Sequence, residues 1–327
     1  MFHLHQKILI LATSVIGSCF TQTSVAQTSD YPNKSIKLVI GFTPGGSTDT
    51  VGRQLANSFT KILGQSVIVE NKPGANGNLA TDYVRRSAPD GYTIFYTSIG
   101  HVTNPLIYKD AKYNPVKDFT PIGQVLAGPN VLVVPANSRF KTVKDIIDYG
   151  RANPGKINFA SSGIGSSVHL SGELFKQLSG VDMVHIPYKG SGSLLPQLMA
   201  GEVDLAFPFL PSGITLSEQG LLRTLGVTTK ERSAAAPNIP AIAEAGLPDY
   251  DMSTWYGIVG PANMPEDVQK KLSDALLQTV NEPEFKNRLI SLGVEPKPTT
   301  PKEFGQFIQD EAIKWAGILK GLDYKEN

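Results

Sequence analysis

The stretch Phe42-Thr43-Pro44-Gly45-Gly46-Ser47-Thr48-Asp49 separates two segments of different hydrophobic period. Before it, residues 35–41 read S-I-K-L-V-I-G, a short apolar run of strand type. After it, Val51, Leu55, Phe59, Ile62 and Leu63 fall on one face of a helix. The octapeptide therefore turns a strand into a helix. Pro44 sets one φ, Gly45 and Gly46 allow a bend that a Cβ would obstruct, and Ser47 is placed to be the N-cap. The first N–H groups of such a helix lack an internal acceptor and point beyond the strand end, which makes an anion site out of backbone. Phe42, Thr43, Gly45, Gly46, Ser47, Thr48 and Asp49 are candidate ligand contacts on this ground. A carboxylate at Asp49 would repel an anion, so Asp49 is expected to turn toward Arg53, four residues along the same helix face.

A second stretch has the same design. Residues 161–170 read S-S-G-I-G-S-S-V-H-L and precede a helix through Leu170, Leu174 and Leu178. Ser161, Ser162, Ser166 and Ser167 supply hydroxyls and Gly163 and Gly165 bare the backbone; Ser162, Gly163, Gly165, Ser166 and His169 are the candidate contacts, with over-capping of a helix as the plain alternative. His169 lies a turn inside, where a hydrogen-bonded packing role competes with a site role. The two loops are expected to face each other across a cleft and hold a carboxylate.

Outward from these loops the chain alternates strand and helix signals: strands at 66–70, 92–97, 157–160, 183–186, 203–207 and 221–227, with helices between. That pattern predicts an α/β fold with parallel sheets covered by helices. Ser98 and His101 fall at a strand's C-terminal end, where such sheets bind ligands. Tyr188 follows another strand. Phe207-Pro208-Phe209 ends a third and is placed to face the gap, and Asp204 is a lone carboxylate on that strand. Trp255 is a further aromatic expected near the cleft. Gly128-Pro129 interrupts the long apolar run 119–135, a suitable place for the chain to cross between lobes, and the proline-rich segment 232–250 suits the return. Helices at 265–280, 283–292 and 301–322 each open on a proline. The expected lobes are 27–131 with 251–327, and 132–250. Two crossings between two α/β lobes describe a hinged clamshell.

Composition narrows the function. Lys+Arg 30 against Asp+Glu 29 in 327 residues gives a formal charge of +1, so bulk charge points to neither nucleic acid nor an anionic membrane. Residues 1–26 read as a secretory signal with Lys7, an apolar core at 8–16 and Ser24-Val25-Ala26 as cleavage site. The competing reading is a lipoprotein box ending at Cys19, the one cysteine. Either places the protein outside the cytoplasm. His101, His169 and His185 show no metal spacing. There is no G-x-S-x-G elbow, no third glycine of a dinucleotide fingerprint and no phosphate-loop motif. No cofactor is implied. Ser166 and His169, three apart on a helix, leave a secreted serine hydrolase as a rival reading.

Taken together, F-x-P-G-G-x-x-D (42–49), V-E-N-K-P-G-A-N-G (69–77), P-D-G-Y-T (89–93), S-S-G-x-G-S-x-x-H-L (161–170), H-I-P-Y-K-G (185–190) and G-E-V-D (201–204) resemble the Bug, or TctC-like, periplasmic solute-binding proteins of tripartite tricarboxylate transporters. The resemblance covers essentially the whole chain after the signal, in order. It implies a type II, two-domain periplasmic binding fold, no catalysis, and one ligand carboxylate gripped by the two loops. It also implies a monomer that delivers its ligand to large and small membrane transporter subunits. A sensory protein reporting to a membrane kinase would use the same fold. One departure stands out: the family often continues after G-x-V-D with a polar F-D-N-like run, whereas this chain has Phe207-Pro208-Phe209-Leu210. That change favours an aliphatic or aromatic mono- or dicarboxylate over citrate or a free amino acid.

Overall fold

The computed structural model describes residues 30–320. The signal segment, Cys19 and the last residues of the expected helix at 301–322 lie outside them. Strand β1 (Ile36–Ile40) is buried at every position except Lys37, as a strand covered on both faces should be. It pairs in parallel with β2 (Val67–Asn71) and β3 (Thr93–Ser98). Helix α1 (Ser47–Leu63) lays Val51, Leu55 and Phe59 on this sheet and stops at Gly64, whose φ of 68° places it in the left-handed region. Helices α2 (Asn78–Arg85) and α3 (Gly100–Ile107) follow β2 and β3.

Beyond them, β4 (Phe119–Pro129) leads across to a second sheet made of β5 (Val131–Pro135), β6 (Ile157–Ser161), β7 (Met183–Pro187), β8 (Leu205–Ala206) and β9 (Leu222–Val227). Its helices are α4 (Val143–Ala152), α5 (Ser167–Ser179), α6 (Ser191–Ala200) and α7 (Leu210–Glu218). The chain then returns through β10 (Ser253–Pro261), α8 (Glu266–Asn281), α9 (Pro283–Ser291), β11 (Glu295–Pro296) and α10 (Pro301–Leu319). The strand orders are β11-β4-β10-β3-β1-β2 and β7-β6-β8-β5-β9.

Three features differ from the sequence expectation. The sheets are mixed, because the crossing strands run against their neighbours: β10 is antiparallel to both β3 and β4, and β5 to both β8 and β9. Helix α3 was not legible because Pro105 lies inside it, and a proline normally ends such a pattern. Proline cannot donate to the carbonyl of His101, four residues back, and the Tyr113 hydroxyl donates to that oxygen instead, at 3.0 Å. Helix α7 and the two-residue β11 also carry too little periodicity to be read.

The crossing is a tied knot. Asn130, fully buried, separates β4 from β5. Its N–H donates to Thr228 Oγ1 at 2.8 Å, the Thr228 N–H donates to its carbonyl at 3.0 Å, and its side-chain amide donates to Ser171 Oγ at 3.0 Å. Thr228 Oγ1 donates in turn to the Met252 carbonyl at 2.7 Å, so the outgoing and returning strands are bonded where they pass. The C-terminal α10 is anchored to β10 by one buried acid: Glu311 Oε2 accepts from the indoles of both Trp255 and Trp315 at 3.0 Å.

Candidate functional site

The first loop ends one residue earlier than the sequence suggested. Gly46, not Ser47, is the N-cap of α1, and it has no side-chain cap hydrogen bond; Ser47 is already helical. Asp49, in the first turn, folds its carboxylate back over the loop and accepts from the Gly45 N–H at 3.0 Å, one residue before the cap. Asp49 also pairs with Arg53 in a two-point contact of 2.9 and 3.0 Å and accepts from the Asn71 amide at 2.9 Å. Burial alone would raise its pKa, but the hydrogen bonds from Arg53, Asn71 and Gly45 outweigh that and hold it below the usual carboxylate range. Its charge is thus balanced locally, and the positive end of α1 remains available to an anion.

The second loop binds its own glycines. Gly163 N–H donates to Ser161 Oγ at 3.2 Å and Gly165 N–H to His169 Nδ1 at 3.1 Å. Ser166 is the N-cap of α5: its Oγ accepts from His169 N–H at 3.2 Å and donates to the Gly163 carbonyl at 2.7 Å, while its carbonyl takes the Leu170 N–H. The amides of Ser167 and Val168 are left at the open end of the helix.

A third helix start, expected after the 187–192 loop but not assigned to the site, completes the ring. Helix α6 begins after Gly190, whose φ of 130° excludes other residues and which has no side-chain cap. Gly190 seats against Thr43, whose Oγ1 would lie 3.0 Å from a Cβ placed there; that hydroxyl oxygen is buried without a hydrogen-bond partner among the described residues.

Between these starts lies a cavity of about 30 Å³ lined by Phe42, Thr43, Gly46, Thr48, Ser98, Ser162, Ser166, Ser167, Val168, Ser191, Phe209 and Tyr256. Residues from the N-terminal ends of α1, α5 and α6 all reach it, so three helix dipoles point their positive ends at one small polar space. Thr48 Oγ1 donates to the Tyr256 hydroxyl at 3.0 Å, and Tyr256 packs on Phe209 with ring centroids 5.5 Å apart, giving the cavity one aromatic wall. An adjoining chamber of about 170 Å³ shares Phe42 and Ser162 and is lined further by Asn76, Tyr108, Gly163, Tyr188 and Lys189. A much larger groove, about 910 Å³, borders the crossing at Gly128 and Pro129, but no helix start lines it.

The remaining candidates take other places. His101 is buried under Phe119 and Tyr113 with Nε2 on the Pro115 carbonyl at 2.8 Å; burial lowers its pKa to about 4. Asp204 accepts from Asn158 N–H at 2.8 Å and pairs with Arg139, closing a strand end. Phe207 is fully buried against Phe175, and Trp255 packs on Phe304 and Phe307. None of these four lines the cavity. His169 stacks between the loop and His185, ring centroids 4.2 Å apart, and acts on the site through Gly165. His185 Nε2 meets Ser161 Oγ at 2.6 Å beneath the cavity floor residue Ser162.

Ser167, one of the hydroxyls expected of the second loop, lines the cavity; Val168, Ser191 and Tyr256 line it without having been singled out. Ser191 was signalled by K-G-S-G-S, the same glycine–serine run before a helix that marked the other loops. Tyr256 had no signal: it neighbours Trp255 on a strand, the two point to opposite faces, and periodicity does not say which face meets the ligand.

A family model described as "Tripartite tricarboxylate transporter family receptor" matches residues 51–324. A Cupriavidus necator protein, the UPF0065 protein in the gbd 5′ region, is 36% identical over 311 residues, covering 95% of this chain and 94% of its own. Among solved structures, R. palustris Rpa4515 with adipate superposes with a TM-score of 0.86 at 34% identity, covering 89% of this chain and 98% of that one. The periplasmic binding protein BugD gives 0.85 at 32%, covering 89% and 98%. The fold is therefore that of the periplasmic binding proteins, and the chain belongs to the tripartite tricarboxylate transporter receptor family.

Proposed function

We propose that this protein is an extracytoplasmic receptor that captures a small mono- or dicarboxylate and presents it to the large and small membrane subunits of a tripartite transporter. The convergence of three helix N-termini, none of them occupied by an acidic side chain that lacks a cation, on one cavity of carboxylate size carries this reading. A carboxylate there would meet the open amides of Ser167 and Val168 and the unpartnered Thr43 hydroxyl, with Phe209 and Tyr256 against its carbon body. Adipate in the R. palustris relative is a ligand of the same chemistry. The lobes 27–131 with 251–327 and 132–250 would close over it as a monomeric clamshell hinged at the Asn130–Thr228 knot, in the periplasm after removal of residues 1–26. Closure is selected because only the shut state brings all three helix ends to one anion.

The hydrolase reading has weaker support. Ser166 Oγ engages backbone groups on both sides, and His169 Nδ1 is occupied by Gly165 N–H, so the two side chains do not form a nucleophile–base pair.

Titration calorimetry of the protein from residue 27 with adipate, benzoate, terephthalate and citrate tests the proposal. Micromolar or tighter binding of an aliphatic or aromatic acid is expected. Binding of none of the carboxylates, or ester turnover lost on Ser166→Ala, would overturn it.

A further inference from the structure

The loop that opens α5 is gripped from the opposite sheet's side by two groups of α3 and its end. Thr103, fully buried on α3, donates through Oγ1 to the Gly165 carbonyl at 2.9 Å. Tyr108, the residue that ends α3, donates through its hydroxyl to the Ile164 carbonyl at 2.9 Å. Two successive carbonyls of one loop are thus held by side chains that belong to the other sheet's covering layer. The fit is close as well as polar. A Cβ at Gly165, φ 79°, would lie 2.7 Å from Ile107 Cδ1 and 3.4 Å from Thr103 Oγ1, so the loop can seat on α3 only because that position is glycine. The seat itself is braced: Asn76, in the left-handed region at φ 50°, donates through Nδ2 to Asn104 Oδ1 at 2.9 Å, and Asn104 donates back to the Asn76 carbonyl at 3.1 Å.

Neither Thr103 nor Tyr108 lines the 30 Å³ cavity, and Tyr108 borders the adjoining chamber of about 170 Å³. The N–H groups on the other side of the gripped peptides are turned inward, Gly165 to His169 and Ser166 to the Gly163 carbonyl, so the grip also fixes how the loop presents α5.

We propose that Thr103 and Tyr108 form a closure latch, a pair of positioning residues that stabilise the shut state by holding the Gly165 and Ile164 carbonyls and so set the rate of ligand release. This rests on the receptor function proposed above. The contacts join one lobe to the other, so they exist only when the lobes meet. The Thr103 bond is buried and the Tyr108 bond half-buried, and loss of either, with shape retained, changes an equilibrium by about fivefold.

The test uses Tyr108→Phe, Thr103→Val and the double variant, each keeping the side-chain outline. Adipate release is followed by stopped-flow displacement. The expected result is a release rate raised about fivefold in each single variant and more in the double, with the association rate nearly unchanged. An unchanged release rate in the double variant overturns the latch. If the wild-type protein binds no carboxylate, the receptor function fails by itself, and the latch is read in ligand-free protein from amide exchange at Gly165 and Ser166. Faster exchange in the double variant supports it, and equal exchange overturns it.

Discussion

Asp49 shows how one side chain sets the sign of a site. Without Arg53 it would place a negative charge at the opening of α1; with Arg53, Asn71 and Gly45 around it, its charge is paired and it ties the loop to the helix. Asp49→Asn replaces an acceptor oxygen with an amide that must face a donor, and is expected to cost about 2 kcal/mol, read as a lower urea midpoint at unchanged slope. The i,i+4 spacing made the Arg53 pairing legible from sequence. The histidines make the opposite case. Burial holds His101 and His185 near pKa 4, and burial followed by the nearby His185 and Lys176 pushes His169 well below its ordinary value. The groups facing the stacked pair are Glu173, 3.7 Å from His169 Nε2, Lys176 and Ser161. All three histidines are neutral in the fold, whereas the unfolded chain takes up protons below about pH 6.5. The unfolded state therefore binds more protons, and stability falls as pH drops from 6.5 toward 4, by up to about 1.4 kcal/mol per pH unit for each histidine. A thermal melt series across that range should show a steady decline, and His185→Phe should make it shallower by removing one of the three contributions.

Helix starts are the working parts at the next scale. The three start in two ways: α1 and α6 at glycines with no side-chain cap, α5 at Ser166, whose hydroxyl takes the His169 N–H and leaves the amides of the first turn open. Ser166→Ala removes the α5 cap and the brace to the Gly163 carbonyl together, and should cost about 1 kcal/mol of stability while weakening carboxylate binding several-fold. A melt and a titration on the same sample separate the two effects. The glycine–serine runs that open α1 and α5 could be read because their residue types answer to local backbone geometry. Helix α3 could not, since Pro105 lies inside it and the carbonyl that the proline leaves open is met by the Tyr113 hydroxyl, a partner eight residues from the proline and set by tertiary packing.

For the whole molecule, a ligand at a hundredfold its dissociation constant should add about 2.7 kcal/mol to unfolding stability, measurable as a rise in the melting temperature with adipate. Small-angle scattering should show contraction if the lobes are open without ligand. The alternation of strands and helices and the two glycine–serine loops were set by local sequence, because hydrophobic period, proline and glycine act on the backbone within a few residues; the break expected at Gly128-Pro129 falls instead at Asn130, since both residues still pair with β10. Which amides stay open, which aromatic wall meets the cavity and which side chains cross from one sheet's layer to the other were decided only by the folded chain. Gly163 and Gly165, promising by type, have their N–H groups taken by Ser161 and His169, while Val168, unremarkable by type, is left at the helix end. The physical reason is that a hydrogen-bond donor's availability depends on every acceptor within about 3 Å, and those acceptors come from parts of the chain that only tertiary packing brings together.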